Sequence, residues 1–174
     1  MITGFYCRRL KDTHMKHAFP KRCLLACALA LAAALAGCAS TSPAEQQIQL
    51  EQCQQTTFKA TLHPGYVVPP TNSAARGELV AEFNRFTGLL SFCVQFEGLS
   101  GPVLAANFHS PAMEGEEAAP TLSIGRMFVS PYEGRAILSP RQSANLLSGQ
   151  WYVELRTARF PGGELRGQMI EQTQ

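Results

Sequence analysis

The chain has 174 residues, of which 45% are hydrophobic, with 15 Lys and Arg against 13 Asp and Glu for a formal charge of +2. That surplus is local: Arg8, Arg9, Lys11, Lys16, Lys21 and Arg22 all precede Cys38, with Asp12 the single acid among them. From Cys38 onward 9 basic side chains face 12 acidic ones, formally −3, so no basic stripe remains of the kind that nucleic acid binding requires.

The N-terminal elements read as an export signal. Met15-Lys16 through Lys21-Arg22 is basic, and Leu24 to Ala36 is an unbroken apolar run of 13 residues. A charged region, an apolar stretch and small residues at the end describe a secretory signal. A spanning helix needs about 20 residues, so this run is too short for a membrane span. Asp12 interrupts the basic character upstream, which makes Met15 a candidate start codon. The tetrad Leu35-Ala36-Gly37-Cys38 resembles the lipobox of bacterial lipoproteins. That resemblance implies cleavage before Cys38 and acylation of its thiol, leaving residues 1–37 as the signal peptide. Ala39, rather than Asp, is typical of lipoproteins passed on to an outer membrane. The expected location is the cell envelope, anchored by lipid to the outer membrane and facing the periplasm or the surface.

Residues 38–55 are rich in Gln, Ser and Thr and too polar to pack a core, so they are read as a tether. From Thr56 the pattern changes. Phe58, Ala60 and Leu62 alternate with polar residues, the period of a half-buried strand. His63-Pro64-Gly65 and Pro69-Pro70 then punctuate the chain. Leu79, Ala81 and Phe83 mark a second strand, and Leu90, Phe92, Val94 and Phe96 a third, joined through Asn84 to Gly88. After the turn Gly98 to Pro102, Val103 to His109 reads as a fourth. A loop carrying Glu114, Glu116 and Glu117 follows, then short strands over Leu122–Val129 and Glu133–Leu138.

One helix is predicted. Ser139 fits its N-cap, Pro140 its first turn and Gly149 the position beyond its end. Two last strands, Gln150–Thr157 and Glu164–Ile170, flank Phe160-Pro161-Gly162-Gly163. Short strands separated by Gly/Pro turns argue for an all-β sandwich or barrel. A domain over residues 56–172 is long enough for one core, burying roughly 65% of its unfolded surface. Phe58, Phe83, Phe92, Phe96 and Trp151 fall on the inner faces, so core packing accounts for them.

Four stretches carry a family resemblance. They are Phe58 to Leu62 with Val68-Pro69-Pro70, Gly98-Leu99-Ser100-Gly101-Pro102-Val103 on to His109 and Ala112, Leu138 to Val153, and Thr157 through Phe160-Pro161-Gly162-Gly163-Glu164-Leu165-Arg166-Gly167-Gln168. Their order and spacing resemble a CHRD domain, the module first described in chordin and present in many exported bacterial proteins. The resemblance implies an immunoglobulin-like β-sandwich, distantly similar to copper/zinc superoxide dismutase, to which the capping signals add one short helix. It brings no activity. The expectation is a non-catalytic binding or structural module that contacts an envelope protein or a glycan. The alternative is a metal-binding or weakly redox-active relative of the dismutase.

The residues weigh against that alternative. A metal site needs several imidazoles at one point, and after Cys38 only His63 and His109 remain. Family members often carry His-x-His where this chain has Asn107-Phe108-His109, and His where it has Arg156 before Thr157. Arg156 is a permanent cation and cannot ligate. No Asp follows Cys38 and no Gly-x-Ser-x-Gly elbow is present. Glu114, Glu116 and Glu117 fit no calcium loop, and Gly162-Gly163-Glu164 lacks the Lys of a phosphate loop. The chain is therefore read as non-enzymatic, with no cofactor and no catalytic or metal-binding residue.

Two pairings complete the reading. Cys53 and Cys93 are the even pair left once Cys38 carries lipid, and an oxidising compartment invites a disulfide between them. In the last two strands, an antiparallel register pairing Arg156 with Glu164 places Glu154 opposite Arg166, so both outward pairs are of opposite charge.

Overall fold

A computed structural model describes residues 55–172. The signal, Cys38, the tether up to 54 and Cys53 lie outside the described residues. Nine strands and one helix follow in order: β1 (Gln55–Leu62), β2 (Arg76–Asn84), β3 (Leu89–Glu97), β4 (Ala105–His109), β5 (Pro120–Gly125), β6 (Tyr132–Ile137), α1 (Pro140–Leu147), β7 (Tyr152–Arg156), β8 (Leu165–Gln168) and β9 (Ile170–Glu171). They form two antiparallel sheets, β6-β3-β2-β1-β9 and β5-β4-β7-β8. The expected all-β sandwich with one short helix is what the chain builds.

Alternation decides which side chains meet. Phe58, Ala60 and Leu62 of β1, Leu79, Ala81 and Phe83 of β2, and Leu90, Phe92 and Val94 of β3 enter one core. Ala106 and Phe108 of β4, Val153 and Leu155 of β7, Leu165 of β8 and Trp151 meet them from the second sheet. Phe92 packs edge-on to Phe108, with centroids 5.1 Å apart, and Phe108 lies 5.5 Å from Trp151. Phe96 is only partly buried, at the margin of this cluster.

The helix begins as its sequence signals require. The Ser139 hydroxyl accepts from the Gln142 amide, the Gln142 side chain accepts from the Ser139 amide, and Pro140 opens the first turn. Gln142 also donates 3.2 Å to the Thr121 carbonyl, tying α1 to β5, and Leu146 is fully buried. The fifth strand is shorter than its hydrophobic pattern suggested, ending at Gly125 rather than Val129. Gly125 and Met127 both adopt positive φ, 151° and 55°. Met127 and Val129 are then largely exposed, so apolar composition alone overextended the strand.

The two sheets close on one another where β8 meets β1. His63 and Arg166 exchange backbone hydrogen bonds of 2.9 and 3.4 Å across this corner. Gly167 makes the approach feasible, because a Cβ there would lie 2.3 Å from the Thr61 carbonyl oxygen. This corner brings the end of β8 beside β1 and shapes the groove described below.

Candidate functional site

On β4, β7 and β8, the face turned away from the core carries Asn107 and His109, Tyr152, Glu154 and Arg156, and Arg166 and Gln168. The sequence assigned Tyr152, Glu154 and Arg156 to an outward face, and they are there. Outward does not mean exposed, however. His109, Tyr152, Glu154 and Arg166 are all buried. The loop between β4 and β5 folds back over His109, Tyr152 and Arg166. Its Ala112 amide donates to the Gln150 carbonyl, and its Ala112 and Glu116 carbonyls accept from Gln168 and Arg166. The Glu-bearing loop thus acts as a cover through its backbone.

Beneath the cover the side chains form a stack. The His109 and Tyr152 rings lie parallel, 4.7 Å apart and 7° from coplanar. The Arg166 guanidinium sits 3.6 Å from the Tyr152 ring centre, a cation–π contact. His109 Nδ1 lies 2.7 Å from the Ala118 carbonyl, which can only accept, so Nδ1 bears the proton. Burial lowers the His109 pKa below 6.5, against the raising effects of that bond and of Glu154. Burial likewise raises the Tyr152 pKa above 10.0, although its bond to Ala118 pulls the other way. At neutral pH both groups are uncharged.

The register of β7 and β8 is the expected one, with Glu154 opposite Arg166 and Leu155 opposite Leu165. The ion pairs drawn from it are not. Arg156 bonds Glu154, its own neighbour along the strand, at 2.6 Å, and Arg166 turns to the Tyr152 ring and the Glu116 carbonyl. Glu164 lies just before β8 and, among the described residues, takes no cation. Its carboxylate accepts from the Ser73 hydroxyl at 2.7 Å, the Ser100 amide at 2.8 Å, the Ser100 hydroxyl at 2.7 Å and the Thr157 hydroxyl. Burial works to raise its pKa, but the donors of Ser100, Thr157 and Ser73 outweigh this, and it falls below 4.5. Cross-strand charge matching failed here because fixed hydroxyl and amide donors can satisfy a fully buried carboxylate without desolvating a second charge.

A family model settles what this arrangement belongs to: the CHRD domain matches residues 58–169. The chain belongs to the CHRD family. No curated protein and no solved structure matches it. Within the CHRD domain, Ser100, Thr157 and Glu164 all fall in the stretches that carried the resemblance. Sequence reasoning did not bring them together, although a Glu with Ser and Thr in separate recurring stretches is the available signal.

Other candidates disperse. His63 caps the short turn Pro64–Tyr66 by accepting from the Gly65 amide, and its ring lies 5.4 Å from that of Tyr66. Asn107 sits on β4 opposite Glu154. Glu114 and Glu117 are at the surface of the covering loop, and Glu116 caps the Met113 amide at 2.9 Å. Among the described residues no group of three His, Cys, Asp or Glu is placed to hold a metal ion, and no helix is long and apolar enough to cross a membrane. Cys93 is buried in β3 between Val80 and Glu133.

Beside the covered stack runs a groove of about 610 Å³. β1 contributes Lys59 and Thr61 to its lining, β8 contributes Arg166 and Gln168, and the covering loop contributes Glu114 and Gly115.

Proposed function

We propose that this chain is an exported lipoprotein of the cell envelope, anchored through lipid on Cys38, whose CHRD domain is a non-catalytic binding or structural module. The observation that carries the module reading is how the domain uses its buried polar side chains. Glu164 joins Ser73, Ser100 and Thr157 from three separate loop segments, and His109 and Tyr152 hold the covering loop through Ala118. These groups are engaged in fixing loops on a sheet, which suits a rigid scaffold. The anchor reading is supported by the basic stretch, the apolar run and the Leu35-Ala36-Gly37-Cys38 tetrad. With two or more acyl chains, at about 0.8 kcal/mol per buried CH₂, attachment is stable.

Fractionation tests the anchor. Wild-type protein is expected in the membrane fraction and released by detergent, whereas Cys38→Ser is expected in the soluble fraction. A mutant that stays membrane-bound would sink the lipid anchor. A disulfide between Cys53 and Cys93 belongs to the same exported reading, and it closes a loop of 41 residues, worth roughly 4 kcal/mol in the chain-entropy model. Thiol titration of denatured, unreduced protein is expected to find neither cysteine reactive.

A further inference from the structure

Most exposed apolar side chains on a protein surface are scattered and need no partner. Two in this domain are placed otherwise. Phe86, in the β2–β3 turn, is 83% exposed, and Ile137, the last residue of β6, is 77% exposed. The register puts both at one end of the sandwich. Gln55 pairs with Asn84, just before that turn, and Leu89, just after it, pairs with Ile137. A Cβ on Gly88 would lie 3.9 Å from Cγ2 of Ile137, and the Leu138 amide donates 2.8 Å to the Gly88 carbonyl, so the turn and the strand end are in contact. Phe86 is also held outward. Asn84 Oδ1 accepts from the Phe86 and Thr87 amides at 3.0 and 2.9 Å, and the Asn84 carbonyl accepts from the Gly88 amide at 2.9 Å. Arg85 donates to the Thr56 hydroxyl at 2.7 Å and to the Glu171 carboxylate at 3.0 Å, which clamps the turn to β1 and β9. A ring fixed away from the core gains nothing from folding, so its burial is left for a partner.

The tether selects that partner. β1 begins at Gln55, at this same end, and residues 39–54, 16 in all, separate it from Cys38. Even fully extended they span at most about 55 Å, so lipid on Cys38 keeps this end of the domain close to the bilayer. The far end, about 26 Å away along β3, also carries exposed apolar side chains, Met127 and Val129. Ser130 marks it by accepting from the Phe96 amide, where β1 finishes rather than starts. Contact through the near end asks least of the tether's length, which favours it over the far end. Two side chains are too little surface for a stable protein interface, which needs about 1,000 Å² or more. A bilayer demands no complementary shape and takes aromatic and aliphatic tips into its interfacial region.

We infer that this end of the sandwich rests on the bilayer, with Phe86 and Ile137 inserted at the level of the lipid headgroups. The inference rests on the lipoprotein reading and gives the anchored domain an orientation. The test uses the full mature lipoprotein in phosphatidylcholine–phosphatidylglycerol vesicles, with and without acyl chains brominated near the headgroups, which quench any tryptophan that reaches them. Trp151 is fully buried and supplies an unquenched background. Phe86→Trp and Ile137→Trp, both at exposed positions, are each expected to lose most of their added emission on brominated lipid. Val129→Trp, at the far end, is expected to lose none. Adding Phe86→Ser to Ile137→Trp is expected to lower the ratio of docked to undocked domain about tenfold, the scale of burying one large apolar side chain, and so to weaken the quenching. No quenching at 86 and 137, or equal quenching at 129, would overturn the inference. Cross-linking of Phe86→Cys between copies, with Phe86→Trp unquenched, would overturn it in favour of a second copy of the chain. If Cys38→Ser releases the protein while neither tryptophan is quenched in the anchored form, the lipoprotein reading stands and only this inference falls. If Cys38→Ser stays membrane-bound, the anchor reading falls and takes the inference with it.

Discussion

Glu164 and Arg166 are two residues apart, are both fully or almost fully buried, and belong to one continuous stretch of chain, yet they are treated in opposite ways. Glu164 is saturated by four donors from Ser73, Ser100 and Thr157. Arg166 keeps one buried nitrogen that has no hydrogen-bond partner among the described residues. The first arrangement locks loops together, because every lone pair it buries is met. The second leaves a buried donor unmet, which lowers stability rather than adding to it. Burial by itself therefore says little about whether a charged residue is structural; the state of its hydrogen-bonding atoms says more.

Three measurements break or sharpen this contrast. The largest effect belongs to Glu164→Ala, which strands the hydroxyl of buried Thr157, that of half-buried Ser73, and the amide and hydroxyl of exposed Ser100. Losing hydrogen bonds to a buried charge and leaving donors unmet is expected to cost about 3–4 kcal/mol in urea denaturation. A cost under about 1 kcal/mol would show that the Glu164 cluster holds nothing together.

The pH dependence of stability comes next. The pKa of Glu164 is lowered in the fold, so the unfolded chain binds the extra proton first. Its contribution is fully present above pH 4.5 and is lost as pH falls through the depressed folded value. His109 is also lowered, chiefly by burial, so its contribution is present above pH 6.5 and declines as pH drops below that. Stability is expected to fall in two stages on acidification, and Glu164→Gln is expected to flatten only the lower one. An unchanged acid limb in that variant would detach the carboxylate from acid unfolding.

The smallest effect belongs to Arg166→Met. It removes the cation–π contact and the bond to Glu116, but it also removes a buried charge that makes no ion pair among the described residues. These oppose one another, so stability is expected to stay within about 1 kcal/mol of the parent. A loss as large as that of Glu164→Ala would make Arg166 a structural residue like its neighbour and remove the contrast.

Composition, alternation and punctuation were sufficient for the all-β class, the core and the helix. Phe58, Leu79, Phe92, Val153 and Leu165 lie where a period of two puts them, and Ser139, Pro140 and Gly149 bound α1. They were legible because strand pleat and helix capping are local, set by neighbours in the chain. The β7–β8 register is the expected one too, although the cross-strand charge pairs that argued for it do not form. Which partners the outward charges take was not. Arg156 turned to Glu154, Glu164 to hydroxyls 7, 64 and 91 residues away, and Arg166 to a ring and a loop carbonyl. Sequence spacing carries no information about a loop folding back over the face it leaves. That loop buries His109, Tyr152 and Arg166, and only tertiary packing decides which of the atoms it covers are met and which are left open.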